Sequence, residues 1–245
     1  MSERTLFEIT GPERAEFLQG LITSDVGRLS DGLVYTALLT PQGKYLADFF
    51  LAPHGDAILL DVASEIAPAT ARRLMMYKLR AKVDIAESTL NVLRGTGPAP
   101  AGALADPRHR ALGWRLYGAQ DGDDGSDWDA IRVAHCIPET GIELTPDSFI
   151  LEHGFERLNG VDFRKGCYVG QEVTARMKHK TELRKGLATV QLSAPVPVGT
   201  AIEADGKPVG TVLTRSGDKA IAYLRFNRTG DGMRAAEADV TLVSE

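Results

Sequence analysis

Val34-Tyr-Thr-Ala-Leu-Leu-Thr-Pro-Gln-Gly-Lys-Tyr-Leu-Ala-Asp-Phe-Phe-Leu51 holds two apolar runs, Val34 to Leu39 and Tyr45 to Leu51, joined by Thr40-Pro-Gln-Gly-Lys44. Proline presets the first corner of a tight turn and glycine takes backbone conformations other residues avoid, so the link folds the chain back on itself. The stretch reads as a hairpin. A direct hairpin pairs its strands antiparallel, because parallel neighbours need a crossover of about a dozen residues or more. Upstream, Leu6 to Ile9 reads as a strand stopped by Gly11-Pro12, with Pro12 suited to the first turn of a helix whose apolar face is Ala15, Phe17, Leu18, Leu21 and Ile22. Downstream come a strand from Ala57 to Val62 and a helix from Ser64 to Leu79, with Ala67, Ala71, Leu74, Met75 and Leu79 sharing a face. Val83 to Ala86 and Leu90 to Leu93 add further strands. Hairpins interleaved with helices predict an α+β fold with a largely antiparallel sheet.

Two stretches interrupt this pattern. Gly95 to Pro107 is rich in Gly and Pro, and Gln120 to Asp129 carries five Asp and no basic residue; both read as surface loops, the second mobile. Between them Leu112 to Tyr117 reads as a strand. Ile131 to Ala134 reads as an apolar strand and Phe149 to Leu158 as helical. From Gly186 onward short strands recur (Leu187 to Leu192, Ala201 to Glu203, Val209 to Thr214, Ala220 to Leu224, Val240 to Val243), the spacing of a small barrel. The expected division is residues 1–185 as an α+β body and 186–245 as a small β-barrel.

Of the 245 residues 43% are hydrophobic and 25% charged, the balance of a folded chain with a substantial core. The formal net charge is −5, which argues against a strongly basic nucleic-acid binder and against direct DNA binding. No run approaches the roughly 20 apolar residues of a membrane span, and the first residues lack the pattern of a targeting peptide, so a cytoplasmic protein off the membrane is expected. Cys136 and Cys167 are too few for a disulfide framework or a closed zinc site. Phosphate-binding GxxxxGK[ST], GxGxxG after a strand, HExxH and CxxC are all absent.

Charge is unevenly placed. Arg164 to Lys185 holds seven basic residues (Arg164, Lys165, Arg176, Lys178, Lys180, Arg184, Lys185) against Glu172 and Glu182, whereas the Asp-rich loop matches the whole net charge. Such a patch attracts an anionic ligand, or is a solvated face. Within it Cys167 lies between Gly166 and Gly170, two residues after Lys165. Glycines allow close backbone approach, and a neighbouring cation favours the thiolate needed for nucleophilic, redox or metal-ligand work. A helix beginning near Val169 would act in the same direction through its N-terminal dipole. Cys136 is read as a structural thiol.

Lys165-Gly-Cys-Tyr-Val-Gly-Gln-Glu172 resembles the signature of the YgfZ-type family, folate-binding proteins of iron–sulfur cluster assembly and repair related to the glycine-cleavage T-protein. Leu39-Thr-Pro-Gln-Gly-Lys-Tyr-Leu-Ala-Asp48, Asp106-Pro-Arg108 and Leu112-Gly-Trp-Arg115 are similar to further family segments. The resemblance implies an α+β body around a central channel for tetrahydrofolate, followed by a small β-barrel. It implies a reactive Cys167 assisted by Lys165, and Tyr168, Gln171, Glu172, Arg176, Arg108, Trp114 and Arg115 as cofactor-binding candidates. The T-protein's GYTGE-like segment is missing, and Ala134 stands where that enzyme has a folate-contacting Glu. Both departures move the reading away from a classical aminomethyltransferase and toward a cluster-assembly factor.

In that reading Cys167 is a transient ligand of an iron–sulfur cluster or a redox thiol. One thiol cannot supply the four or so ligands of a cluster, so an A-type carrier protein, a client iron–sulfur enzyme or glutathione completes the set. Radical tRNA-thiolating enzymes are candidate clients. The alternatives are a folate-dependent one-carbon transferase using Asp25 or Asp48, and a scaffold with a vestigial pocket.

Overall fold

The computed structural model describes residues 3–179 and 182–243. Lys180 of the basic stretch lies outside the described residues. The chain divides into two compact units, one holding residues 2–126 and 155–175, the other residues 127–154 and 176–245. Chain order alone places residues 1–185 together; compact packing instead groups the segment 127–154 with the barrel.

In the first unit β1 (Arg4–Thr10) leads to the short helix α1 (Arg14–Gln19), and the hairpin is β2 (Val34–Leu39) and β3 (Tyr45–His54). Strand β4 (Ala57–Ala63), helix α2 (Ala67–Lys78) and β5 (Asp84–Glu87) follow. These strands form one antiparallel sheet in the order β2-β3-β4-β1-β5. A second sheet is built from β6 (Asn91–Gly95), β7 (Leu104–Ala105), β8 (Trp114–Gly118) and β9 (Gly122–Asp123), in the order β7-β8-β6-β9, with only β6 and β9 parallel. The Asp-rich stretch thus contains a strand, and Asp124 within it accepts the backbone N–H groups of Thr96 at 2.7 Å and Gly97 at 3.2 Å.

Strand alternation gives the first sheet two different faces. Ala47, Phe49 and Leu51 of β3, with Leu60 and Val62 of β4 and Phe7 and Ile9 of β1, join Leu18 of α1 and Leu74 of α2 in an apolar core. The opposite face carries charge. Register places Tyr35, Phe50, Asp61 and Leu6 in one row across four strands. Asp61, fully buried, accepts from Arg4 Nε at 2.6 Å, Arg115 Nη1 at 2.9 Å and the Tyr117 hydroxyl at 2.9 Å. Asp106 accepts from Arg108 Nε at 3.0 Å and Nη2 at 2.8 Å, and from Arg115 Nε at 3.4 Å. Asp48 accepts from the Tyr35 hydroxyl at 2.9 Å and the Tyr45 hydroxyl at 2.7 Å. The guanidinium carbons of Arg115, Arg108 and Arg4 lie 3.9, 4.7 and 5.8 Å from the centroid of the Phe50 ring. Three arginines and three aspartates balance, which is what buried charge requires.

The second unit begins with α3 (Trp128–Ala134). Ile131 to Ala134, expected as a strand, is its last turn: Asp127 caps the helix by accepting the Ala130 N–H at 3.0 Å, and four alternating residues cannot distinguish helix from strand. Arg132, 1% exposed, pairs with Glu143 and meets Asp129 and Glu139 at 3.0 Å each. The expected helix at Phe149 to Leu158 is a single 3-10 turn, Ile150–His153, ended by Gly154 in the left-handed region. The helix expected from Ser64 likewise starts as a 3-10 turn. Its buried positions are Ala67, Thr70 and Leu74, while Met75 and Leu79 face out.

The barrel is closed in the order β10-β13-β12-β11-β14-β15. Its strands are β10 (Lys185–Leu192), β11 (Ala201–Ala204), β12 (Lys207–Ser216), β13 (Lys219–Arg225), β14 (Arg234–Ala235) and β15 (Ala238–Leu242). Val190, Ile202, Val212, Ala222, Leu224 and Val240 fill it. The two-residue β14 has no sequence signal, yet it bridges β11 and β15 and so closes the barrel. Among the described residues no helix is long and apolar enough to cross a membrane.

Burial alone would raise the Asp61 and Asp106 carboxyls, but Arg4 and Arg115 at the first, and Arg108 and Arg115 at the second, hold both below the ordinary 3.8. Groups with lowered pKa contribute stability that is present above the unfolded value and lost as pH falls below it. Asp61→Ala strands Arg4 and Arg115 in the interior and is expected to cost about 3–5 kcal/mol in urea unfolding at neutral pH. It should also flatten the loss of stability below pH 3.8; a cost under about 1 kcal/mol would show that the network does not hold the sheets together.

Candidate functional site

The signature Lys165 to Glu172 forms a turn-rich loop running into α4 (Gln171–His179). The loop is fastened from several sides within the first unit. The Asp162 N–H donates to Thr23 O at 3.0 Å and the Thr23 hydroxyl donates to Gly160 O at 2.6 Å, which ties the approach to the segment after α1. Gly170, with φ +85°, packs against the turn of the β2–β3 hairpin: a Cβ there would lie 2.5 Å from Thr40 O and 3.0 Å from Leu39 Cβ. Gly43 on the facing turn, at φ +74°, leaves no room for a Cβ against Val173. The glycines of the Pro-Gln-Gly turn and of the signature therefore serve one close approach. Gly166 has nothing within 4 Å and is not constrained this way.

Lys165 is the third fastening. Its ammonium donates to the backbone carbonyls of Gln19 and, at 2.7 Å, Ile22, at the end of α1 and just beyond it. It also stands 5.0 Å from the centroid of the Tyr168 ring. The side chain expected to favour the Cys167 thiolate thus acts first as a strap. Tyr168 is half-buried, and its N–H donates to Gln171 Oε1 at 3.2 Å, so both residues spend polar groups on the loop itself. Glu172 and Arg176 are exposed on α4. Cys167 is exposed and free, while Cys136 is buried in the second unit against Val133 and Ile221.

The other candidates are placed elsewhere. Arg108 and Arg115 are 8% and 2% exposed, and their guanidinium groups are committed to Asp106 and Asp61. Trp114 is buried and its indole N–H donates to Gly97 O at 2.9 Å. As placed, these three offer no donor set that fits the carboxylates of a folate tail. Asp25 accepts from the Gly27 N–H at 2.8 Å and Gln19 Nε2 at 3.2 Å, and Asp48 from two tyrosines, so both carboxylates are engaged in structure. Ala134 is exposed at the end of α3. Among the described residues no group of three His, Cys, Asp or Glu side chains could hold a metal ion.

A family model described as the CAF17 C-terminal β-barrel domain matches residues 184–245. The Mus musculus protein described as iron-sulfur cluster assembly factor IBA57, mitochondrial, is 30% identical over 91% of this chain and 75% of its own length. Its Homo sapiens counterpart is also 30% identical, over 90% and 75%. The chain belongs to the IBA57 family. A crystal structure of the glycine cleavage system aminomethyltransferase T from Bartonella henselae matches 100% of this chain and 83% of that one, with a TM-score of 0.78. At 14% identity this last likeness shows the fold alone.

In this IBA57-family chain the titration of Lys165, the cation of the signature loop, is displaced. Burial lowers it to about 8, with Asp25, Asp162 and Cys167 acting in the opposite sense. The folded chain sheds this proton before the unfolded chain does, so the group makes stability rise with pH between about 8 and the ordinary lysine value of 10.5. An NMR titration of the Lys165 side chain is expected to give a midpoint near 8, and Lys165→Met should remove that rise. A midpoint at the ordinary lysine value would show that the strap is not buried enough to matter.

Proposed function

We propose that this chain is an iron–sulfur cluster assembly factor in which Cys167 contributes a single thiolate ligand to a cluster in transit. The supporting observation is a free, exposed thiol on a loop fastened by Lys165, Gly170 and Thr23, in a family whose named members are cluster assembly factors. The cluster is cargo, not a resident cofactor. With no three-ligand group among the described residues, the remaining ligands come from an A-type carrier protein or from the client [4Fe–4S] enzyme. The thiol must lose its proton to ligate iron, and that proton leaves to solvent at an exposed position. Radical tRNA-modifying enzymes are the client class proposed. A cytoplasmic setting, expected from the sequence, is part of the same proposal; both mammalian relatives are described as mitochondrial.

Cluster transfer from a loaded A-type carrier to an apo client enzyme, followed by visible absorbance and client activity, tests the role of the thiol. Cys167→Ser is expected to slow the stimulated transfer about tenfold or more while leaving the fold intact, because the side chain is exposed. Transfer at the unaltered rate would sink the ligand role.

Tetrahydrofolate is the cofactor proposed on the family resemblance of the signature; Arg108, Trp114 and Arg115 add no support in the positions they occupy. Titration calorimetry with tetrahydrofolate is the direct check. Saturable binding, unchanged in Cys167→Ser, is expected; absence of binding would remove folate from the proposal without touching the thiol.

A further inference from the structure

Beside the signature loop lies a cleft of about 530 Å³ lined by Arg28, Glu156, Asn159, Val161, Asp162, Phe163 and Arg164. Its size falls in the range of small-molecule sites, about 300–1,000 Å³. Two arginines there differ from those of the interior. Arg4, Arg108, Arg115 and Arg132 are all paired with carboxylates, whereas the guanidinium groups of Arg28 and Arg164 make no hydrogen bond or ion pair among the described residues. Both are exposed on ordered backbone. Arg28 sits in the 3-10 turn Val26–Ser30, capped by Asp25, and the Arg164 N–H donates to Asp162 Oδ1 at 2.8 Å.

We propose that this cleft binds a short peptide carrying two carboxylates and one free amine, the class to which glutathione belongs. Each guanidinium presents a planar fork that matches a carboxylate. Glu156 has an interaction partner of its own, and the Asn159 amide donates to Pro107 O at 2.8 Å. Asp162 keeps a second carboxylate oxygen for the amine. Arg28, Arg164 and Asp162 thereby meet two anions and one cation on the ligand. Inorganic phosphate or a plain dicarboxylate would satisfy the arginines but leave Asp162 facing like charge. Phe163, 37% exposed, supplies an apolar wall for the peptide's middle residue.

Arg164 and Cys167 are three residues apart, which limits their Cα separation to roughly 11 Å, the span of a tripeptide. A peptide whose middle residue bears a thiol can therefore set that thiol beside Cys167 as a further ligand for the cargo cluster. Only this last step rests on the cluster-assembly reading; binding in the cleft does not.

Calorimetry with reduced glutathione and with its thiol-free analogue, γ-glutamyl-2-aminobutyryl-glycine, separates the two. Both peptides are expected to bind, with affinity falling as salt rises. Arg28→Ala and Arg164→Ala should each weaken binding about tenfold or more, since each loses a charge-assisted pair, and Cys167→Ser should bind like the unaltered chain. No binding of either peptide at millimolar concentration overturns the proposal. Phosphate or succinate binding as tightly as the peptides overturns the peptide assignment, and loss of binding of both peptides in Cys167→Ser would show that the loop thiol, and not the cleft, holds them. Full cluster transfer by Cys167→Ser with peptide binding retained would support the cleft and fell only the thiol's role in cluster assembly.

Discussion

Asp61 is the residue on which the first unit turns. It is fully buried in the middle of β4, between apolar neighbours, and it accepts from Arg4 on β1 and from Arg115 and Tyr117 on β8. A carboxylate in that position is tolerable only because those donors are present, and Arg115 is tolerable only because Asp61 and Asp106 share it. The two sheets are thus joined by charges that neither could bury alone. Arginine suits the task better than lysine, since its flat group both forks onto carboxylates and lies over the Phe50 ring, 3.9 Å from Arg115. The second unit uses the same device independently, with Arg132 held by Glu143, Glu139 and Asp129.

This network also supports the loop that carries Cys167. Tyr35, whose hydroxyl donates to Asp48, packs at 5.2 Å from Phe50 and at 5.1 Å from Phe155. Gly160 lies against Phe155 and Tyr35 so closely that a Cβ would stand 2.6 Å from the first ring and 3.0 Å from the second. Further along, Lys165 is strapped to the carbonyls near the end of α1, and Gly170 rests on the hairpin turn. The thiol therefore stands on a rigid support although it faces solvent.

The hairpin and the barrel are legible in the sequence because short apolar runs bounded by turn residues mark where each strand begins and ends. The short helical segments of the second unit are not: α3 depends on a single Asp127 cap, and the 3-10 turn at Ile150 depends on Gly154, each one residue of signal. The charged interior escapes a sequence reading for a different reason. Arg108 and Arg115 look the same in a sequence whether they reach for a ligand or for Asp106, and burial is decided by a partner 54 residues away in the case of Asp61 and Arg115. A usable signal does exist. Asp61 in Ala57-Ile-Leu-Leu-Asp-Val-Ala63 and Asp48 before Phe49-Phe50 are lone acids inside apolar strands, and such residues need buried donors.

The two cysteines show how the same fold assigns opposite fates to one side chain. Cys136 follows α3 with φ +49° and is closed in by Val133 and Ile221, so its thiol is part of the packing. Cys167 is exposed on a loop whose polar backbone is fastened on either side of it. A ligand that must pass its cargo to another protein needs access, which the exposed position supplies, and a fixed direction of approach, which the fastened loop supplies. Burial would remove the first and an unstrapped loop would remove the second. The positive φ at Gly170, the strapped Lys165 and the charge-built wall behind Phe155 are therefore one arrangement, in which interior ion pairs position a residue they never touch.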